Sequence, residues 1–228
     1  VRAMDTMTAV TSKDGGKAVD RFVVAGGSKR GWTTWLTGAV DKRVVGIIPI
    51  VIDVLNVRPS VQHHFAAYGF WAPSVADYVE HRITERLNDP RMPDLLALVD
   101  PWSYRHRLTM PKFVLNAAGD QFFPPDSSRF YFAELPDPKQ LRYVPNADHS
   151  LDETDAVESI IAWYSLILAG RPAPSVTWET ASGSLRAKAD QEPTEVRIWR
   201  ATNPDARDFR LESLGPKYKS ETIEAQAD

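Results

Sequence analysis

The chain has 228 residues, 43% hydrophobic and 25% charged, with a formal net charge of −3. Those values suit one sizeable globular domain with a small appendage, and the lack of a basic excess argues against nucleic-acid binding. Cysteine is absent, which excludes disulfides, thiolate catalysis and thiolate metal sites, and no apolar run approaches the ~20 residues that span a bilayer.

In chain order, Val1, Met4, Met7 and Val10 stand three apart, the spacing of one helix face. Val1 is not an initiator methionine and no signal-peptide pattern follows it, so the chain reads as starting inside an architecture. After an Asp14-Gly15-Gly16 turn, Asp20 to Gly26 reads as a short buried strand. Beyond Ser28, Trp32, Trp35, Leu36, Ala39 and Val40 form a helical stripe. Val44 to Asp53 is a continuous β-branched run of the kind buried on both faces. Residues 54–111 are mostly helical in pattern and rich in aromatics, including Phe65, Tyr68, Phe70, Trp71 and Trp102.

Lys112 to Asp120 and Leu141 to Ala147 are further strands, with helices expected near Ser127–Leu135 and from Glu153 to Ala169. This alternation predicts an α/β domain with a mostly parallel sheet over residues 1–170, interrupted by a helical insertion at 54–111. From 171 to 228 the prolines, turn residues and short alternating runs predict a β-rich appendage ending in a polar, mobile tail from Pro216.

Chemistry concentrates at "AGGSKRGW". A nucleophilic serine on a strand-to-helix turn needs small neighbours, and Gly26 and Gly27 supply them before Ser28. The Lys29 backbone N–H, at the positive end of the helix, is then an oxyanion donor. Arg30 occupies the second glycine position of the usual G-x-S-x-G turn, with Gly31 one residue later. The alternative for this segment is a glycine-rich turn with Ser28 as a helix cap. A serine nucleophile needs a base, and the base an orienting acid; Asp120 and His149 follow later strands in the required order.

Other residues compete less well. Asp53 ends a strand but precedes the insertion, where it reads as a cap or brace; Asp126 reads as a helix cap, and Asp148 points away from its neighbour His149. His63 and His64 lack acidic partners at ligand spacing, so they are read as packing over the site, with no metal. His81 and His106 are solvated or structural. Lys29 and Arg30 are expected to be salt-bridged on the helix surface. The insertion is expected to lie over the mouth of the site and to select substrate by size, with Phe70 and Trp71 in contact with it and Gly27 at its base.

Three stretches, "RFVVAGGSKRGWTTWLTGAVDKRVVGIIPIVID", "DPWSYRHRLTMPKFVLNAAGDQFFPPDSS" and "YVPNADHSL", resemble the PhoPQ-activated pathogenicity-related proteins, an α/β-hydrolase-like family. The likeness runs over nearly the whole chain, and Ser28-Lys29-Arg30-Gly31-Trp32 is its most specific part. It implies Ser28 as nucleophile, Asp120 as acid and His149 as base, without a cofactor, and makes the β-rich end an expected feature. It points to the periplasm or to secretion. It also implies further strands before Val1, without which the strand Asp20–Gly26 is an exposed edge inviting homo-oligomerisation. The expectation is a serine hydrolase cleaving a small-molecule carboxylic ester through an acyl-enzyme. The rivals are a peptidase or amidase of the same fold, and a non-catalytic binding module.

Overall fold

The computed structural model describes residues 1–225. Helix α1 (Arg2–Thr11) leads into β1 (Phe22–Gly27), α2 (Lys29–Val40) and β2 (Val44–Ile50). The insertion follows as α3 (Val57–Tyr68), α4 (Ala76–Glu80) and α5 (Met92–Val99), joined by 3-10 turns. The chain then returns through β3 (Lys112–Ala117), β4 (Lys139–Val144) and α6 (Ala156–Leu168). Beyond these lie β5 (Val176–Ala181), β6 (Ser184–Ala189), β7 (Val196–Arg200), α7 (Leu211–Leu214) and β8 (Lys219–Ile223).

The four strands β1-β2-β3-β4 form one parallel sheet in sequence order, so all deliver their C-terminal ends to the same edge. This is the α/β architecture anticipated from the alternation of elements. Side chains alternate across β2. Ile47 enters a cluster with Trp35 of α2, Leu108 and Tyr131, while Ile48 enters the opposite cluster with Phe113, Leu115 and Trp163 of α6. Covering both faces with helices is what lets every residue of β3 be buried. β1 pairs on one side only and is a sheet edge.

Three expectations change. The Ser127–Leu135 segment forms two 3-10 turns, Ser127–Phe130 and Phe132–Glu134, separated by Tyr131, whose φ of −147° is not helical. β2 stops at Ile50 because Val51 takes a positive φ of 43° and turns the chain into the insertion. The tail expected from Pro216 is structured through Ile223: β8 pairs antiparallel with β7 in the register Val196↔Ile223 to Arg200↔Lys219. Its residues are polar because both hairpin faces are largely exposed, which hid the strand from a hydrophobicity reading. The β5-β6 hairpin attaches through Trp178, stacked on Phe132 at 5.6 Å. No described helix is long and apolar enough to cross a membrane.

Candidate active site

β1 ends at Gly27, α2 starts at Lys29, and Ser28 between them has φ 53° and ψ −124°. A serine pays for that left-handed φ with steric strain, which persists only where the surroundings fix it. They do: the Ser28 amide donates to the Ile50 carbonyl at 2.8 Å and the Ser28 carbonyl accepts from Trp32 N–H at 3.1 Å.

The room comes from two glycines. A methyl group on Gly26 would stand 2.6 Å from the Arg30 carbonyl oxygen; one on Gly31 would stand 2.7 Å from Ile52 Cγ2 and 2.9 Å from the Gly26 oxygen. Gly31, three residues after the serine, thus serves the close approach that a glycine two residues after it gives in G-x-S-x-G, leaving Arg30 exposed. At Gly27 an added methyl meets only Val51 Cγ2, at 4.0 Å, so that glycine is not sterically required and does not line the cavity described below.

Asp120 follows β3 and is buried. Its Oδ1 accepts from the Phe122 amide at 2.7 Å, and its Oδ2 accepts from His149 Nδ1 at 2.8 Å. Burial raises the Asp120 carboxyl above its ordinary range, opposed by the bond to His149. The loop after β4 carries His149, whose amide donates to Gln121 Oε1 at 3.1 Å. With Nδ1 fixed as the donor to Asp120, Nε2 is the imidazole's basic nitrogen; it is shielded from solvent and has no hydrogen-bond partner among the described residues, Ser28 Oγ included. The Phe122 ring packs against the imidazole at 4.4 Å.

A cavity of about 540 Å³ opens beside Ser28. Trp32, Ile52, Val61, Trp71, Leu95 and Phe122 make most of its wall apolar, and α3, α4 and α5 contribute side chains to it. Trp71 lines it. Phe70 does not: its ring turns away, 6.0 Å from Tyr68, with the Arg210 guanidinium 5.2 Å from its centroid. Lys29 lines the cavity too; among the described residues neither Lys29 nor Arg30 makes an ion pair, so the expected surface salt bridges are absent. The Lys29 backbone N–H heads α2, where the helix offers it no carbonyl.

The competing residues have other partners. Asp53 lines the cavity from a buried position, accepting from Tyr131 OH at 2.6 Å and from Tyr143 OH; burial pushes its carboxyl up to about 7. It thus ties the segment after β2 to Tyr131 and to Tyr143 of β4, outside the insertion that its position suggested it would cap or brace. Asp126 caps no helix and instead pairs with His63 at 2.8 Å and Arg207 at 2.5 Å. Asp148 accepts from the Ser150 amide at 2.8 Å, directed away from His149. His64 donates from Nδ1 to the Phe122 carbonyl and accepts from the Ala72 amide at Nε2, both at 3.1 Å; burial holds its imidazole down to about 4, so it is neutral. Sequence reasoning gave His64 a packing role over the site but could not see that it ties the loop after Asp120 to the insertion. Among the described residues no group of three or more His, Asp or Glu could hold a metal ion.

Comparison with known proteins places this geometry in context. The family model of the PhoPQ-activated pathogenicity-related proteins matches residues 1–210. Autocrine proliferation repressor protein A of Dictyostelium discoideum is 40% identical over 227 residues, covering 92% of this chain; the chain spans 46% of that protein's length. Among solved structures, an acetyl xylan esterase from Paenibacillus sp. R4 superposes with a TM-score of 0.52 at 22% identity, over 72% of this chain and 49% of its own. Acetyl xylan esterase 1 from Thermoanaerobacterium sp. JW/SL YS485 gives 0.52 at 15% identity, over 73% and 51%. An acylaminoacyl peptidase from Pyrococcus horikoshii gives 0.50 at 11%, over 74% and 26%. At these identities the structural likeness establishes the α/β-hydrolase fold.

Proposed function

Because the chain belongs to the PhoPQ-activated pathogenicity-related protein family and has the α/β-hydrolase fold, we propose that it is a serine hydrolase cleaving carboxylic esters, with Ser28, His149 and Asp120 as its triad. The observation that carries the reading is the pairing at His149: Nδ1 is held by buried Asp120 while the shielded Nε2 has no partner among the described residues. A structural histidine in that setting would have its second nitrogen satisfied. The strained turn at Ser28, beside the cavity, is the second support.

In this mechanism Ser28 Oγ attacks the ester carbonyl carbon as its proton passes to His149 Nε2. Asp120 keeps Nδ1 protonated and stabilises the imidazolium, without taking the proton itself. The Lys29 N–H supports the carbonyl oxygen as it gains negative charge. Nε2 then returns its proton to the departing alcohol oxygen as the carbon–oxygen bond breaks, leaving an acyl group on Ser28. Water, deprotonated by the same nitrogen, attacks the acyl carbon; the acid leaves and Ser28 regains its proton. The apolar wall suits an uncharged acyl group.

Two rival readings separate in one experiment. A fluorophosphonate probe should attach to Ser28, located by intact and peptide mass. Ser28→Ala should lose labelling and more than about 10³-fold in kcat on p-nitrophenyl esters. An unlabelled protein that still binds ester analogues would be a binding module. Faster turnover of a matched anilide than of the ester would instead identify a peptidase or amidase.

A further inference from the structure

Residues 207–218 touch both loops that carry the acid and the base. At one attachment the Leu211 amide donates to the Gly119 carbonyl at 2.9 Å, and Gly119 immediately precedes Asp120. The approach is so close that a methyl group on Gly119 would stand 2.9 Å from Leu211 Cβ and 2.8 Å from the Ala147 oxygen. The Gly119 amide itself donates to that Ala147 carbonyl, two residues before His149. At the other attachment Asn146 makes two bonds to one residue: Nδ2 donates to the Tyr218 carbonyl and Oδ1 accepts from the Tyr218 amide, both at 2.9 Å. Asn146 sits three residues before His149, in a left-handed turn with φ 55°.

The segment is itself anchored. Arg210 is 7% exposed, pairs with Asp208 through Nε at 2.9 Å and Nη2 at 2.7 Å, and reaches Glu212 at 2.8 Å. Its guanidinium also lies 5.3 Å from the Tyr68 ring centroid and 5.2 Å from that of Phe70. A cation that faces two aromatic rings and pairs with a carboxylate resists displacement. Leu211 and Tyr218 are therefore presented to the two loops from a fixed base.

We propose that Arg207–Tyr218 is a strap that positions the acid and the base, with Asn146 and Leu211 as positioning residues whose bonds hold the Asp120 and His149 loops in register. The proposal rests on the triad reading above. Nothing in the strap touches a reacting atom; it acts on the distance between Asp120 and His149, and a 1 Å misplacement can cost about 10²-fold in rate.

The test compares Asn146→Gly with Asn146→Asp in the full chain. Glycine keeps the left-handed turn and removes both bonds to Tyr218, while aspartate keeps the acceptor and loses the donor. Three quantities are measured: kcat and KM on p-nitrophenyl butyrate, the folded fraction at the assay temperature, and solvent exchange of the His149 Nδ1 proton by NMR. In Asn146→Gly, kcat per folded molecule should fall about tenfold or more with KM within about twofold, and the Nδ1 proton should exchange about tenfold faster; Asn146→Asp should fall between. A loss of activity accounted for by the unfolded fraction, with Nδ1 exchange unchanged, overturns the strap. Should the wild type neither label nor hydrolyse, the hydrolase reading falls, while faster Nδ1 exchange in Asn146→Gly supports the strap and unchanged exchange refutes it.

Discussion

Two glycines two positions before and three after Ser28 bear the crowding of the turn, and a third between them does not. The difference is measurable. Gly31→Ala forces a methyl within 2.7 Å of Ile52 Cγ2, an overpacking cost of about 1–3 kcal/mol, from which the better helix propensity of alanine returns up to about 1 kcal/mol. Gly27→Ala meets one atom at ordinary contact distance and should stay within about 0.5 kcal/mol of wild type. Thermal melts and fluorophosphonate labelling rates of the two variants should therefore part: Gly31→Ala melts lower and labels more slowly, while Gly27→Ala does neither. Equal behaviour would mean that the turn relaxes around the added methyl. The triad itself is the proposal made above; that Ser28, Asp120 and His149 each follow a strand of one parallel sheet was legible in the sequence, because the alternation of elements marks where strands end. The roles of Gly27 and Phe70 were not, since composition near a site carries no direction for a side chain.

Helical inserts announce themselves by aromatic density, but not by which way each ring turns. The three helices between β2 and β3 form part of the cavity wall, yet only Trp71 of the adjacent pair lines it; Phe70 stacks outward against Tyr68 and Arg210. A contact with substrate is worth roughly 1–3 kcal/mol per methylene. Trp71→Ala should change the ratio of kcat/KM for octanoate against acetate p-nitrophenyl esters at least severalfold. Phe70→Ala should leave that ratio near wild type while lowering the melting temperature, because it removes one of the rings beside Arg210. A flat ratio in both variants would take the insertion out of acyl selection. The strands with continuous apolar runs and the long periodic helix α2 were readable for a plain reason: burial on two faces or one stripe dictates composition. β8 escaped because its exposed, polar residues obey no such constraint, and the segment after Asp126 read as a helix where the chain makes two 3-10 turns.

Across the whole molecule, two buried ionisable groups bend the pH dependence of stability in opposite senses. Asp53 has its carboxyl raised from 3.8 to about 7 by burial, so across that window the folded chain keeps a proton that the unfolded chain has released. Stability from this group therefore falls as pH rises from about 4 to about 7 and is level above. His64 is lowered from 6.5 to about 4; the unfolded chain takes up the proton first, so stability from it falls as pH drops from 6.5 toward 4. Asp53→Asn removes only the first slope. The melting-temperature gap between wild type and Asp53→Asn should be widest in favour of wild type near pH 4, shrink as pH rises to about 7 and stay level above. A gap that stays constant would show that the Tyr131 and Tyr143 hydroxyls keep Asp53 ionised throughout.

The long excursion between β2 and β3 also has an entropic side. It leaves the sheet after Ile50 and re-enters at Lys112, and those same strands still pair, Ile50 opposite Leu115. Once a loop is already that long, the cost of closing it grows only logarithmically, about 0.6 kcal/mol for each doubling. Residues can thus be added to or trimmed from the wall of the cavity for a small fraction of a domain's usual 5–15 kcal/mol margin. Ser28, Asp120 and His149 all lie outside the excursion, at the ends of strands whose register does not depend on its length. As far as loop closure is concerned, variation in the length of the cavity wall is therefore nearly free of consequence for whether the chain folds, provided that the excursion's core residues Leu55 and Leu108 are kept.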